Sequence, residues 1–578
     1  MSTGELRDDV VLAWSALGLV VALEAVAGLL WCAEAGSAVV SGGEVPAFRW
    51  GIGPLAALVV DQPGGRRALT FALFAVLLCA VAVVVMRAAS PLRRRLRARR
   101  QRAAVEAVNA VADVSGMDAR SRERETARLH PGLAARVSGR PVGPDVLGVV
   151  LPSGPEVFVG WEDVEVAFMA PRSGKTTARA IPRMLAAPGP AVGTANKPDL
   201  FAATWLPRSR VGRVWRFDPQ QVAHSVQEFW WNPLQKVRDD ESARQLAAQF
   251  TQAIAPNGGD PFWANAAADV LSAFFLAAAL EGESLREVWR WLNSSTDDYP
   301  VRLLDEADYG PVAEGLRNVI NLHPETRDSV FQTARTGASC LRNPRILAWV
   351  TPQAGLPQFD MDAFVVSTDT VYLMSRDTAG AASPLLAGFL DQLFDAGQAE
   401  AERHGGRLPV PITAVLDEVG NIAPWDRLPK VVSFSGSIGV SITAILQSWA
   451  QGERVWGRNG MEMMFGAVTV KVFGAGIDDD ALTRRISMHV GQHEVAHRTT
   501  THGAGGRSDT VGNQQRDLLP PDAVRALPKG TALVMVTGRR PVMVRLVPHY
   551  ESPLRDQVGE SIARTRSELA DRLAQQGQ

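Results

Sequence analysis

Three short strings hold side chains that could do phosphate chemistry. The first is Phe168-Met169-Ala170-Pro171-Arg172-Ser173-Gly174-Lys175-Thr176-Thr177, which follows a short apolar run, Val164 to Phe168, and opens a helical pattern, TTARAIPRML. A Pro/Ser/Gly turn between strand and helix converges backbone N–H groups on an anion, where orphan donors and the helix dipole favour negative charge. Ala170, Pro171, Arg172, Ser173, Gly174, Lys175, Thr176 and Thr177 are therefore the candidate phosphate-binding residues. Lys175 would reach the β and γ phosphates of a nucleoside triphosphate, and the Thr176 hydroxyl would complete the shell of a Mg²⁺ ion. The full pattern, Gly-x-x-x-x-Gly-Lys-Ser/Thr, wants glycine where Met169 stands. That first glycine shapes the start of the turn, whereas Gly174, Lys175 and Thr176 carry the contacts.

The second string, Pro411-Ile412-Thr413-Ala414-Val415-Leu416-Asp417-Glu418, is an apolar strand ending in two carboxylates. Asp417 would hold the Mg²⁺ ion through water and Glu418 would polarise the attacking water. The third is the apolar strand Gly439 to Leu446, which delivers Gln447 to its C-terminal end, where an amide can sense the γ-phosphate or the attacking water. Ligands of open α/β sheets bind at that edge. Either of the first two strings alone also describes something ordinary, a helix-opening turn with a solvated lysine or a strand running into an acidic turn. In this chain order they make ATP and Mg²⁺ the expected cofactors, with Glu418, Lys175 and Gln447 as catalytic residues and Thr176 and Asp417 as metal ligands. An ABC transporter ATPase is excluded, because no Leu-Ser-Gly-Gly-Gln-like string lies between the two motifs, and no second substrate pocket suggests a kinase. Asp478-Asp479-Asp480 lacks the spacing of a Ca²⁺ loop and reads as a helix start.

These residues need a sheet to carry them. Apolar runs at Ala191 onward, Val211 to Asp218, Thr370 to Ser375 and Ala467 to Phe473 alternate with helical patterns, which argues a parallel α/β sheet. From 237 to 345 the period is helical throughout, and Phe262, Trp263, Phe274 and Phe275 there read as core, not as a platform for stacking bases. Thr531 to Val536 and Val542 to Leu546 read as a hairpin, and the tail from Asp556 as a polar amphipathic helix.

A chain of 578 residues suits several domains, and a net charge of −1 leaves nucleic-acid contact to local patches or a channel. Three scattered cysteines make neither a disulfide framework nor a zinc site. Residues 10–33 and 68–89 are apolar and long enough to span a bilayer, and the run Pro91 to Arg102 carries seven arginines with no acidic residue. The positive-inside rule then leaves both ends of this two-helix anchor, and the large C-terminal part, in the cytoplasm. The acidic N-terminus argues against a cleaved signal peptide.

With these motifs assembled, the chain resembles the VirD4/TraG type IV coupling proteins of conjugation and type IV secretion. APRSGKTT, AVLDEVGNIAPW, ITAILQSWAQGERVWG, Trp231-Asn232-Pro233-Leu234 and Lys197-Pro198-Asp199-Leu200 carry the likeness, together with the two N-terminal spans. The resemblance implies an α/β fold: a RecA-like P-loop NTPase domain with an inserted all-α domain and two N-terminal transmembrane helices. The expected layout is a membrane anchor at 1–102 with a short external loop, a juxtamembrane linker at 103–145, ATPase parts at 146–236 and 346–555, the all-α insertion at 237–345 and a helical tail at 556–578. The resemblance further implies a homohexameric ring at the inner or plasma membrane. Its partners would be single-stranded DNA with its relaxase, or a secreted protein, together with channel components of the secretion system. A protein-secretion ATPase without DNA contact and a nucleotide-holding scaffold without turnover are the alternatives. A double-stranded-DNA pump of the FtsK/SpoIIIE type is disfavoured, since the stretch after Glu551 is too short for a winged helix. Many relatives carry an arginine in the turn before the glutamine strand, and here that turn reads Ser435-Gly436-Ser437-Ile438-Gly439. Arg484 and Arg485 are the substitutes considered for a finger reaching a neighbour's nucleotide.

Overall fold

The computed structural model describes, in the main, residues 101–136, 145–252, 261–378, 381–503 and 506–576, with scattered stretches of the first hundred, chiefly 31–45. The two expected spans and the arginine run after them lie almost wholly outside the described residues. The chain divides into two units, Met1–Arg102 and Ala103–Gln578. In the first, a helix runs through 31–40. All the expected site residues belong to the second.

In chain order the second unit opens with the antiparallel strands β1 (Asp145–Val150) and β2 (Glu156–Val159). Next come β3 (Glu165–Phe168), the phosphate loop, and a π-helical turn, Thr176–Ala180, that runs on into α1 (Ile181–Ala186). β4 (Ala191–Ala195), α2 (Asp199–Ser209) and β5 (Val214–Phe217) follow. From Asp240 to Val365 the regular elements are helical. The sheet resumes with β6 (Thr370–Met374), β7 (Ile412–Asp417) and β8 (Val440–Leu446), then α3 (Trp449–Ala467) and β9 (Val470–Gly474). A polar hairpin, β10 (Gln492–Gly503) and β11 (Gly506–Asp517), precedes β12 (Thr531–Val536), β13 (Val542–Arg545) and α4 (Arg555–Gln576).

Among the described residues, 11 strands form one sheet in the order β2-β1-β13-β12-β9-β3-β8-β7-β4-β6-β5, and β10 pairs only with β11. The block from β9 to β5 is parallel. Its strands β3, β4, β6, β7 and β8 are buried at every position, as strands covered by helices on both faces must be. The other edge, which a purely parallel reading does not contain, is antiparallel. One helix among the described residues is long and apolar enough to cross a membrane, Phe262–Leu280, and it is a core helix of the helical region, with Phe274 and Phe275 buried. Phe262 departs from the core reading: it stands in the first turn of that helix and is 55% exposed. The tail is docked. Trp205 Nε1 of α2 donates to Thr565 Oγ1 at 2.6 Å, Ser561 Oγ donates to the Ala202 carbonyl at 2.7 Å, and Val558 is buried.

A buried ionic network fastens the helix behind the phosphate loop to the sheet. Arg179 Nε donates to both Glu165 oxygens at 2.8 and 2.9 Å, and its guanidinium also pairs with Asp145. Arg183 reaches Asp145 at 3.1 Å and Ser441 Oγ at 2.5 Å, and lies 4.5 Å over the Trp161 ring. β1, β3, β8 and the loop helix are thereby tied through charges that are almost fully out of water. Removing one partner leaves the others uncompensated. Arg179→Met should therefore destabilise the fold by about 3–5 kcal/mol, read as a lowered denaturant midpoint; a loss under about 1 kcal/mol would place the network among exposed pairs.

In the segment before β1, His130 packs against the stretches that lead into β7 and β8. Its Nδ1–H donates to the Leu408 carbonyl at 3.0 Å, its ring is fully buried, and a Cβ on Gly439 would stand 3.1 Å from its Cε1. Burial pushes its pKa below the ordinary 6.5, and the neighbouring Arg407 adds to the depression. A histidine depressed in the folded state contributes stability above 6.5 that is lost as the pH falls below it. The melting temperature should thus fall between about pH 7 and pH 5, and His130→Gln should flatten that slope.

Candidate functional site

The phosphate loop is held at both ends and open in the middle. Ser173 N–H donates to the Ala170 carbonyl at 3.2 Å and Ala178 N–H to the Gly174 carbonyl at 2.8 Å. Between them, the amides of Gly174, Lys175, Thr176 and Thr177 donate to no acceptor among the described residues. Four free N–H groups at the start of a helix make an anion cradle. Gly174 has φ +96°, and a Cβ there would meet nothing closer than Thr177 Oγ1 at 3.8 Å, so backbone conformation, not space, calls for glycine. Met169, which replaces the motif's first glycine, continues the strand: it is fully buried and its N–H donates to the Leu446 carbonyl at 2.9 Å. Room for its side chain comes from β9, where a Cβ on Gly474 would stand 2.9 Å from Met169 Cγ.

β8 lies between the loop strand β3 and the carboxylate strand β7. Leu446 pairs with Phe168 on one side and Ile445 with Asp417 on the other, so the loop, Asp417, Glu418 and Gln447 emerge at one edge. There they meet. Lys175 Nζ lies 2.5 Å from Glu418 Oε1 and 3.0 Å from Asp417 Oδ1. Thr176 Oγ1 donates to Asp417 Oδ2 at 3.1 Å, and Gln447 Nε2 donates to Glu418 Oε1 at 2.8 Å. Glu418 itself sits in the left-handed region, φ +56°, at the head of the short helix Val419–Ile422. That strained geometry turns its carboxylate back toward the lysine.

One participant escaped the sequence reading. Asn196, immediately after β4, donates through Nδ2 to the other Glu418 oxygen, Oε2. It stands just before Lys197-Pro198-Asp199-Leu200, a string noticed only as a signature; Lys197, Asp199 and Asn421 join the wall of the same cavity, about 560 Å³ in volume. Thr194 Oγ1 fixes the backbone carbonyl of Asp417 at 3.0 Å, and Gln451 Oε1 accepts from the Gln447 N–H at 2.8 Å.

The donor set fits Mg²⁺ shared with a phosphate. Thr176 and Asp417 offer hard oxygens side by side, and Asp417 Oδ1 is buried with only the Lys175 ion pair and no hydrogen bond. Burial raises the Asp417 pKa, and the nearby Lys175 charge opposes that rise. Among the described residues no three His, Cys, Asp or Glu side chains cluster as a metal site, so an ion here would complete its shell with phosphate and water oxygens.

Of the two arginines weighed as fingers, Arg485 is committed elsewhere, paired with Glu462 and lying 5.0 Å over Trp449 and 4.7 Å over Phe465. Arg484 lines a separate cavity at the foot of the β10–β11 hairpin. Because Met169 is packed core, restoring the motif by Met169→Gly should cost about 2–5 kcal/mol of stability, and calorimetric titration should show no gain in nucleotide affinity.

Comparison with known proteins adds kinship to this geometry. A family model described as the TraM recognition site of TraD and TraG matches residues 411–529. Protein VirD4 of Agrobacterium fabrum is 23% identical over 442 residues, which cover 72% of this chain and 62% of that protein. Protein VirD4 of Rhizobium rhizogenes is 23% identical over 438 residues, with 72% and 61% covered. The chain thus spans about three fifths of the length of these relatives. Among solved structures, the unbound form of the bacterial conjugative coupling protein TrwB matches in fold with a TM-score of 0.50 at 17% identity, over 72% of this chain and 91% of that one. Sequence relatives and family model point the same way, and the chain is similar to the VirD4/TraG-type coupling proteins.

Proposed function

We propose that this protein is a membrane-anchored ATPase of conjugation or type IV secretion, which binds ATP with Mg²⁺ and uses its hydrolysis to pass a relaxase-bound single DNA strand, or a secreted protein, to the channel. The observation that carries the reading is the convergence of Lys175, Thr176, Asp417, Glu418 and Gln447 beside four free loop amides. Lys175, shared here between two carboxylates, would turn to the β and γ phosphates. Glu418, released by the lysine but still held by Asn196 and Gln447, would orient the attacking water and accept its proton as the bond from the γ-phosphorus to the leaving oxygen breaks. Mg²⁺, held by Thr176 and Asp417, would neutralise charge on the phosphate oxygens. Residues 237–345 are the proposed recruiting surface, 1–102 the membrane stem, and a homohexameric ring the working form. The match of residues 411–529 to a TraM recognition model supports a relaxosome partner on the same half of the chain that carries Glu418.

ATP hydrolysis by residues 103–578, which form a compact unit, tests this. Turnover should rise with single-stranded DNA more than with duplex, and Lys175→Ala and Glu418→Gln should each lower it by about 10²–10⁴-fold. Turnover indifferent to DNA would favour a protein-secretion ATPase. Tight nucleotide binding without turnover in the full membrane-bound chain would favour a scaffold.

A further inference from the structure

A second cavity, about 430 Å³ in volume, opens beside the phosphate loop and shares Arg172, Gly174 and Thr177 with the first. None of Lys175, Asp417, Glu418 or Gln447 lines it. One wall is the loop and its helix; the other is built from the start of β12 and the stretch after β13, with Lys529, Arg545, Tyr550 and Glu551. That wall is fixed, since Leu546 N–H donates to the Gly530 carbonyl at 2.8 Å and Arg545 pairs with Glu551 at 2.9 Å.

Ser173, whose amide braces the loop, and Tyr550 bring two further side chains to this cavity. Ser173 lines this cavity and not the first, and its hydroxyl is buried without a hydrogen-bond partner. A buried hydroxyl left unpaired is costly, so a ligand atom is its natural complement. Tyr550 is 53% exposed and is braced from one side by an edge contact with His549, the ring centroids 5.4 Å apart.

The polarity of the loop says what should lie there. Lys175, Glu418 and Gln447 mark the end of the cradle where a terminal phosphate belongs, so the group attached to the first phosphate must leave on the other side. We propose that the second cavity takes the nucleoside half of the triphosphate, with Tyr550 stacked on the base and the Ser173 hydroxyl paired to the sugar or first phosphate. This rests on the nucleotide reading of the loop. The volume lies within the range of small-ligand sites, about 300–1,000 Å³, and an exposed aromatic face is a general partner for a base.

The test is titration of the full-length chain with ATP and with inorganic tripolyphosphate, both with Mg²⁺, for the parent, Tyr550→Ala and Tyr550→Phe. Tyr550→Ala should weaken ATP by about ten- to a hundredfold and leave tripolyphosphate unchanged, while Tyr550→Phe keeps the parent's affinity for both. Unchanged ATP affinity in Tyr550→Ala, or an equal loss for both ligands, overturns the proposal. A parent that binds tripolyphosphate as tightly as ATP overturns the nucleoside cavity alone. A parent that binds neither overturns the phosphate-loop reading and this one with it.

Discussion

The position of Lys175 between Asp417 and Glu418 is the constraint around which the molecule is arranged. The ammonium lies 2.5 Å from one carboxylate and 3.0 Å from the other, and all three charges are nearly withdrawn from water. Such a group is stable only where geometry and hydrogen bonds compensate the lost solvation. The compensation comes from residues that follow three separate strands: Thr176 beyond β3 and its loop, Asn196 after β4 and Gln447 after β8. A sheet in which β8 lies between the loop strand and the carboxylate strand places these residues together. If β8 were elsewhere, Gln447 could not touch Glu418.

Holding the lysine there requires that the loop helix not shift, and the network of Arg179, Arg183, Glu165, Asp145 and Ser441 is suited to that. Its members lie on the loop helix and on β1, β3 and β8, so the antiparallel edge of the sheet is tied to the phosphate loop. On its other side the loop adjoins the wall formed by β12 and the stretch after β13. The segment before β1 is seated separately, by His130 against Leu408.

Much of this was legible in the sequence because it follows from local chemistry. Apolar runs ending in Lys-Thr, Asp-Glu and Gln announce strands that deliver polar side chains to one edge, and β3, β7 and β8 lie within a few residues of the expected places. The antiparallel edge was less legible: β1 and β2 are short strands, and β1 finds its second partner, β13, hundreds of residues away. The β10–β11 hairpin carries no alternating apolar face, and so no period to read. Asn196 was hidden for another reason. An asparagine after a strand is an ordinary turn residue, and only the neighbouring β7 gives it a carboxylate to hold. The absent motif glycine was misleading in the opposite direction, since the space it would supply is provided by Gly474 across the sheet.

The most direct test is a crystal structure of residues 103–578 with a non-hydrolysable ATP analogue and Mg²⁺. Lys175 Nζ should leave Glu418 for the β and γ phosphates, the ion should lie against Thr176 and Asp417, and Glu418 should keep its bonds to Asn196 and Gln447. A nucleotide bound away from the loop, or a lysine still paired to Glu418 with the triphosphate in place, would contradict the account.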